Sequence, residues 1–122
     1  MQKVGEFKKE IIELLDLNIT PGTPIYIGES NINHIIAKHS YEYEIYFNHL
    51  SDIITYPDYV GISPKDNSIQ FIKEFAINKE FIRVAAKAST NNNHYIRTLH
   101  LLSTNNLERY LQKGTLKKLD NN

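Results

Sequence analysis

Glu80-Phe-Ile-Arg-Val-Ala-Ala-Lys-Ala88, Asn91-Asn-Asn93 and His94-Tyr-Ile-Arg-Thr-Leu-His-Leu-Leu102 decide the fold. In the first stretch Ile82, Val84 and Ala86 alternate with Arg83, Ala85 and Lys87, a period of two that belongs to strands. The second long stretch reads as the partner strand, and the three asparagines as the hairpin turn between them. Working backwards, Ser68 to Ile77 is another strand, Pro64-Lys-Asp-Asn67 a turn, and Asp58 to Ser63 a short strand.

Further upstream the period changes. Val4, Phe7, Ile11, Leu14 and Leu15 follow helical spacing, so an amphipathic helix is expected from Lys3 to Leu17, ended by the Pro-Gly turn within Asn18 to Pro24. Ile25-Tyr-Ile-Gly28 reads as a short strand. Ser30 or Asn31 can cap a helix that runs to about His39 with Ile32, Ile35 and Ile36 on its buried face, and Ser40 can restart it. Tyr43, Tyr46, Phe47, Leu50, Ile53 and Ile54 mark a third helix that must stop before Pro57. At the other end Ser103 or Thr104 caps a final helix through Lys113, and Gly114 stops it. The tail from Lys117 to Asn122 is polar and expected to fray.

Helices, then an antiparallel meander, then a helix, is an α+β order. The expectation is of N-terminal helices packed on a four- or five-stranded, mostly antiparallel sheet, with a short C-terminal helix. Residues 1–24 would be the N-terminal amphipathic helix and turn, 25–116 the main body of a single globular domain, and 117–122 the tail. The sheet face away from the helices would be open and half-polar.

The 122 residues, 41% of them hydrophobic, suit one core and no second domain. No apolar run approaches the ~20 residues of a membrane helix, and the N-terminus lacks a secretory stretch, so a cytoplasmic chain with no membrane partner is expected, or one delivered to another cell's cytoplasm. The absence of cysteine removes disulfides, thiolate metal sites and cysteine nucleophiles. The net charge of zero hides an asymmetry: residues 1–61 hold nine acids and four bases, residues 62–122 five acids and ten bases. The basic half could meet a phosphate backbone, or simply neutralise the other half on folding.

His34 and Lys38 stand four apart and share a helix face, a titratable base beside a cation. His39 follows at the helix end, as a cap or as a second acid–base group. Arg97 can grip a phosphate through two donors. Thr98 alternates to the other side of the strand, so the two meet one ligand only where that strand twists or the site lies at its end, and Thr98 orients a ligand only if the edge is bulged. Arg83 shares a face with Lys87 and extends the basic surface, or is an exposed strand charge. Ser103 is explained by capping alone, although free amides beside it could bind phosphate. Tyr110 could stack a base or pack in the core. His94 and His100 are read as lying on one face of the last strand, too far apart to chelate a metal, and His49 as structural or exposed. There is no glycine-rich phosphate loop, no Gly-x-Ser-x-Gly elbow and no zinc-protease histidine pair. A base, a cation and a proton donor are the groups that cleave RNA through its own 2′-hydroxyl without a metal.

Four stretches in order, His34-Ile-Ile-Ala-Lys-His39, Tyr56-Pro-Asp-Tyr-Val-Gly-Ile62, Ser68-Ile-Gln-Phe71, and Tyr95-Ile-Arg-Thr98 followed by Leu107-Glu-Arg-Tyr-Leu111, resemble the phage-associated branch of the barnase/EndoU/colicin/RelE-like (BECR) nucleases, over roughly residues 25 to 116. The resemblance implies a small helix-plus-sheet fold, metal-independent RNA cleavage without cofactor, and a toxin or phage-linked effector with an immunity or antitoxin protein as its partner. On it, His34, Lys38, His39, Arg97 and Thr98 are expected to be catalytic, and Arg83, Ser103 and Tyr110 to bind substrate. The alternative is a catalytically inactive RNA-binding or protein-interaction module of the same fold.

Overall fold

A computed structural model describes residues 1–89 and 91–120. In chain order the elements are β1 (Gln2–Glu6), α1 (Lys9–Leu15), β2 (Pro24–Ile27), α2 (Glu29–Lys38), α3 (Ser40–Tyr46), a 3-10 turn (Phe47–His49), α4 (Leu50–Thr55), β3 (Tyr59–Ile62), β4 (Ile69–Phe75), β5 (Glu80–Ala88), β6 (His94–Leu102), α5 (Thr104–Gln112) and β7 (Leu116–Lys118). The strands form one seven-stranded sheet in the order β1-β2-β6-β5-β4-β3-β7. β2 and β6 run parallel and the other neighbours antiparallel. None of the described helices is long and apolar enough to cross a membrane.

This corrects the expected architecture. The sheet is mixed and seven-stranded, not a four- or five-stranded, mostly antiparallel one, and a strand rather than a helix comes first. Val4 and Phe7 do stand at helical spacing from Ile11, but Lys8 is extended (φ −81°, ψ 147°) and the helix begins only at Lys9. Phe7 is fully buried in the crossing between β1 and α1. The third helix is broken by its 3-10 turn into α3 and α4. Gly28, not Ser30 or Asn31, is the N-cap of α2, and its amide donates to Asn31 Oδ1 at 3.0 Å. The tail does not fray at Lys117 and Lys118, which pair with β3, and the Leu119 amide donates to the Asp58 carbonyl at 2.9 Å. Residues 121 and 122 lie outside the described residues.

β7 exists because of one glycine. A Cβ at Gly61 would fall on the Thr115 carbonyl oxygen and lie 2.8 Å from Leu116 Cδ2, so only glycine admits this close approach. Gly114, at φ +76°, supplies the left-handed residue that turns the chain from α5 into β7.

The two faces of the sheet differ. One carries Ile25, Ile27, Val60, Phe71, Ile82, Val84, Ala86, Ile96 and Leu99, packed with Ile11, Ile35, Ile53 and Ile54 of the helices. The other carries a smaller apolar group, Ile72, Leu102 and Leu116, under Leu107 of α5. Beyond the reach of α5 that second face turns polar.

Candidate active site

The polar part of the open face is built by one irregularity. From the hairpin turn the register runs Ala88↔His94, Lys87↔Tyr95, Ala86↔Ile96, then jumps to Ala85↔Thr98, leaving Arg97 as the extra residue of a bulge. Before the bulge the even-numbered residues of β6 face the core, as buried Ile96 does; after it the odd-numbered ones do, as buried Leu99 does. His94 and His100 therefore lie on opposite faces, which corrects the expectation that they share one. His94 packs its ring on Phe7 at 4.8 Å, with Nδ1 buried and unpartnered. His100 stands opposite Arg83 on the open face.

The bulge also resolves the tension between Arg97 and Thr98. Both line one cavity of about 270 Å³, together with Arg83, Gln70, His100 and Tyr110. At its centre the Arg83 guanidinium donates to His100 Nε2 from Nη2 at 2.6 Å and from Nε at 3.1 Å. It also donates from Nη1 to Gln70 Oε1 at 3.4 Å. Arginine has no lone pair to offer, so Nε2 is the accepting nitrogen and the imidazole is neutral. Nδ1 faces Thr98 Oγ1 at 3.3 Å. Burial, then the Arg83 charge, pushes the His100 imidazole down to about 4. Tyr110 reaches in from α5 beneath the Arg109 guanidinium, which lies 5.4 Å from the ring centroid. Arg109 first, and Arg83 as a smaller influence, hold the phenol below its ordinary range against the opposing effect of burial. Among the described residues, Arg83, Arg97 and Arg109 form no ion pair with a carboxylate.

His39 reaches the cluster from the side. β2 pairs with β6 only at His94 and Tyr95, so the β6 edge beyond is free of a strand partner. The junction of α2 and α3 fills it: Glu42 accepts from the Leu101 amide at 3.0 Å, and His39 stacks on His100 with ring centroids 5.1 Å apart. His39 Nδ1 lies 3.7 Å from Glu42 Oε2. His34 is exposed, its ring 6.3 Å from that of His39. Lys38 is exposed on the last turn of α2, outside the cavity lining. Ser103 caps α5, accepting from the Asn106 amide at 3.1 Å, and does not line the cavity. Among the described residues no three histidine, aspartate or glutamate side chains converge as metal ligands.

Arg83, Arg97, Thr98 and Tyr110, all singled out in the sequence, thus share one cavity. His100 and Gln70 were missed. Had the hairpin register continued unbroken, Arg83 would stand opposite Leu99, and only the bulge moves His100 into its place.

A half-buried arginine without a carboxylate, set among a neutral histidine, a tyrosine and a threonine on an open sheet face, defines a small α+β protein equipped to receive an anion and move protons around it. Residues 2–109 match the family described as phage-Barnase-EndoU-ColicinE5/D-RelE like nuclease 3, and the chain belongs to that family. The match begins well before residue 25, where the sequence resemblance was placed. No curated protein and no solved structure matches the chain. Family membership makes nuclease chemistry the activity this site has to account for.

Proposed function

We propose that this chain is an endoribonuclease that cleaves RNA by attack of a 2′-hydroxyl on the adjacent phosphate. The observation that carries the reading is Arg83. It is a half-buried cation without a carboxylate, held on the neutral Nε2 of His100 at 2.6 Å with the Tyr110 phenol nearby. A neutral imidazole is a weaker partner for a guanidinium than a phosphate is, so an incoming phosphate draws the fork away. That frees the Nε2 lone pair and offsets one of the charges that keep His100 unprotonated.

In the proposed reaction His100 takes the proton of the 2′-hydroxyl as its oxygen bonds to phosphorus. The bond from phosphorus to the 5′-oxygen breaks, and Tyr110 gives that oxygen its proton. The products are a 2′,3′-cyclic phosphate and a 5′-hydroxyl, and exchange with water restores both side chains. Arg83 stabilises the charge that builds on the phosphoryl oxygens. Arg97, exposed at the far rim of the cavity, holds the adjoining phosphate, and Thr98 orients His100 through Nδ1. His39 and, behind it, His34 form the proton route to solvent, so the acid–base role expected of His34 passes in this proposal to His100. An effector that cleaves cellular RNA needs an inhibitor in the cell that makes it, so an immunity protein covering this face belongs to the proposal.

The test is incubation of total RNA with wild type, Arg83→Ala and His100→Ala in EDTA, with end-group analysis of the products. Wild type is expected to leave cyclic phosphate ends. Removing a preorganised donor such as Arg83 is expected to cost about 10²–10³ in kcat. Strict metal dependence, or full activity in both variants with the fold intact, overturns the mechanism. Salt-sensitive RNA binding without products would instead favour the inactive binding module, a reading that the occupied Nε2 of His100 also permits.

A further inference from the structure

Arg97 lines a second cavity, of about 420 Å³, with Lys87 and Tyr95. From Lys87 and Tyr95 a row of neighbours crosses four strands: Lys3↔Tyr26, Tyr26↔Tyr95 and Tyr95↔Lys87 are direct partners. Their face follows from alternation. Ile25 and Ile27 are in the core, so Tyr26 points away from it; Ile96 and Ala86 are in the core, so Tyr95 and Lys87 do the same. The Tyr26 and Tyr95 rings lie 6.1 Å apart, tilted by 42°, and both residues are partly exposed. The open face therefore presents the Arg83 and His100 pair, then Arg97, then an aromatic pair flanked by Lys87.

We propose that this strip is a docking track for single-stranded RNA, with Tyr95 and Tyr26 stacking a base outside the cleaved step and Lys87 and Arg97 holding the phosphates between. The proposal rests on the RNA-cleavage reading of the neighbouring cavity. An aromatic surface beside cations takes unpaired bases of any sequence, whereas a duplex keeps its base faces stacked. Tyr95 and His100 are five residues apart on β6, roughly 15 Å at the usual strand rise, so a dinucleotide cleaved at His100 does not reach the tyrosines. Among the described residues Lys87 and Arg97 form no ion pair, whereas Lys3, at the far end of the row, is tied to Glu6 at 2.8 Å. Asp66 lies near enough to Lys87 to feel its charge, but the Asp66 carboxylate already accepts from the Ser68 amide at 3.0 Å.

The experiment compares wild type, Tyr95→Ala, Tyr95→Phe and Lys87→Ala on three probes. These are a dinucleotide, a single-stranded heptanucleotide, and the same heptanucleotide with 2′-O-methyl groups, which binds but cannot react. Tyr95→Ala is expected to lose roughly tenfold in kcat/KM on the heptanucleotide and in affinity for its methylated form, with the dinucleotide unchanged. Tyr95→Phe, which keeps the ring and loses only the hydroxyl that meets Met1 Sδ at 3.0 Å, is expected to match wild type. Lys87→Ala is expected to lower the salt dependence of heptanucleotide binding by about one phosphate contact. Equal losses on dinucleotide and heptanucleotide, or a fourth probe, the duplex of the methylated heptanucleotide with its complement, binding as tightly as the single strand, overturn the track. If wild type cleaves neither substrate, the cleavage reading fails by itself. The methylated probe then decides the track alone: weaker binding by Tyr95→Ala supports it, and unchanged binding overturns it.

Discussion

The two faces of this sheet are made from alternate residues of the same strands, yet they obey different rules. On β4, Phe71 is fully buried against Phe7, with ring centroids 6.1 Å apart, while its neighbour Gln70 faces the other way and accepts from the Arg83 guanidinium at 3.4 Å. The closed face is fixed by volume: every side chain touches another apolar one. The open face is fixed by hydrogen bonds that an incoming anion can exchange. Stability lives on the first face and the proposed chemistry on the second, so a change on one should leave the other's readout largely alone.

The largest effect should come from the closed face. Phe71→Ala removes a fully buried ring and is expected to cost about 3–5 kcal/mol, read as a fall in the urea midpoint. Arg83→Ala, on the adjacent strand and the open face, is expected to move that midpoint little while nearly abolishing cleavage. If the two variants lose stability equally, the separation of the faces is wrong.

A smaller effect breaks the separation in one place, because His100 is partly in both worlds. Burial and Arg83 make it harder to protonate in the folded chain than in the unfolded one, down to about 4 from 6.5. The unfolded state then binds more protons between these values, so stability falls as pH drops from about 6.5 toward about 4, by about 3 kcal/mol at most. His94, also pushed down by burial, adds in the same direction. His100→Gln should flatten this part of the pH profile in urea unfolding between pH 7.5 and pH 4. An unchanged slope would mean that His100 is solvated when it titrates.

The closed face was the legible one. Alternation of Ile82, Val84 and Ala86 locates β5 and β6 to their ends, and Ser103 marks the start of α5. The edges were not legible, for physical reasons. β1 holds Val4 and leads into Phe7 three residues on, a helical spacing that points to the wrong element, and β7 holds a single buried residue, Leu116, too few for any period. Its existence depends on the missing side chain of Gly61, more than fifty residues away in sequence. The site was half legible. Arg83, Arg97, Thr98 and Tyr110 have chemistry that shows in any sequence, but which histidine joins them depends on a one-residue slip at Arg97. Nothing in local propensity announces that slip.

The smallest effect belongs to Ser103, and it tests where the open face ends. Its hydroxyl accepts from the Asn106 amide, which accounts for the residue as a cap, yet free amides at a helix start also attract phosphate. The two roles differ in how they respond to glycine. A cap lost to alanine costs about 1 kcal/mol and to glycine only a few tenths. A phosphate contact through the hydroxyl is lost equally to both. The expected order of thermal midpoints is therefore Ser103 above Ser103→Gly above Ser103→Ala, with KM on the heptanucleotide the same in all three. Since α5 carries Tyr110 over the cavity and Leu107 into the smaller core, a frayed cap would act on chemistry only by loosening that helix. It would lower kcat in the order of the midpoints. A rise in KM shared by both variants would instead extend the RNA surface past α5.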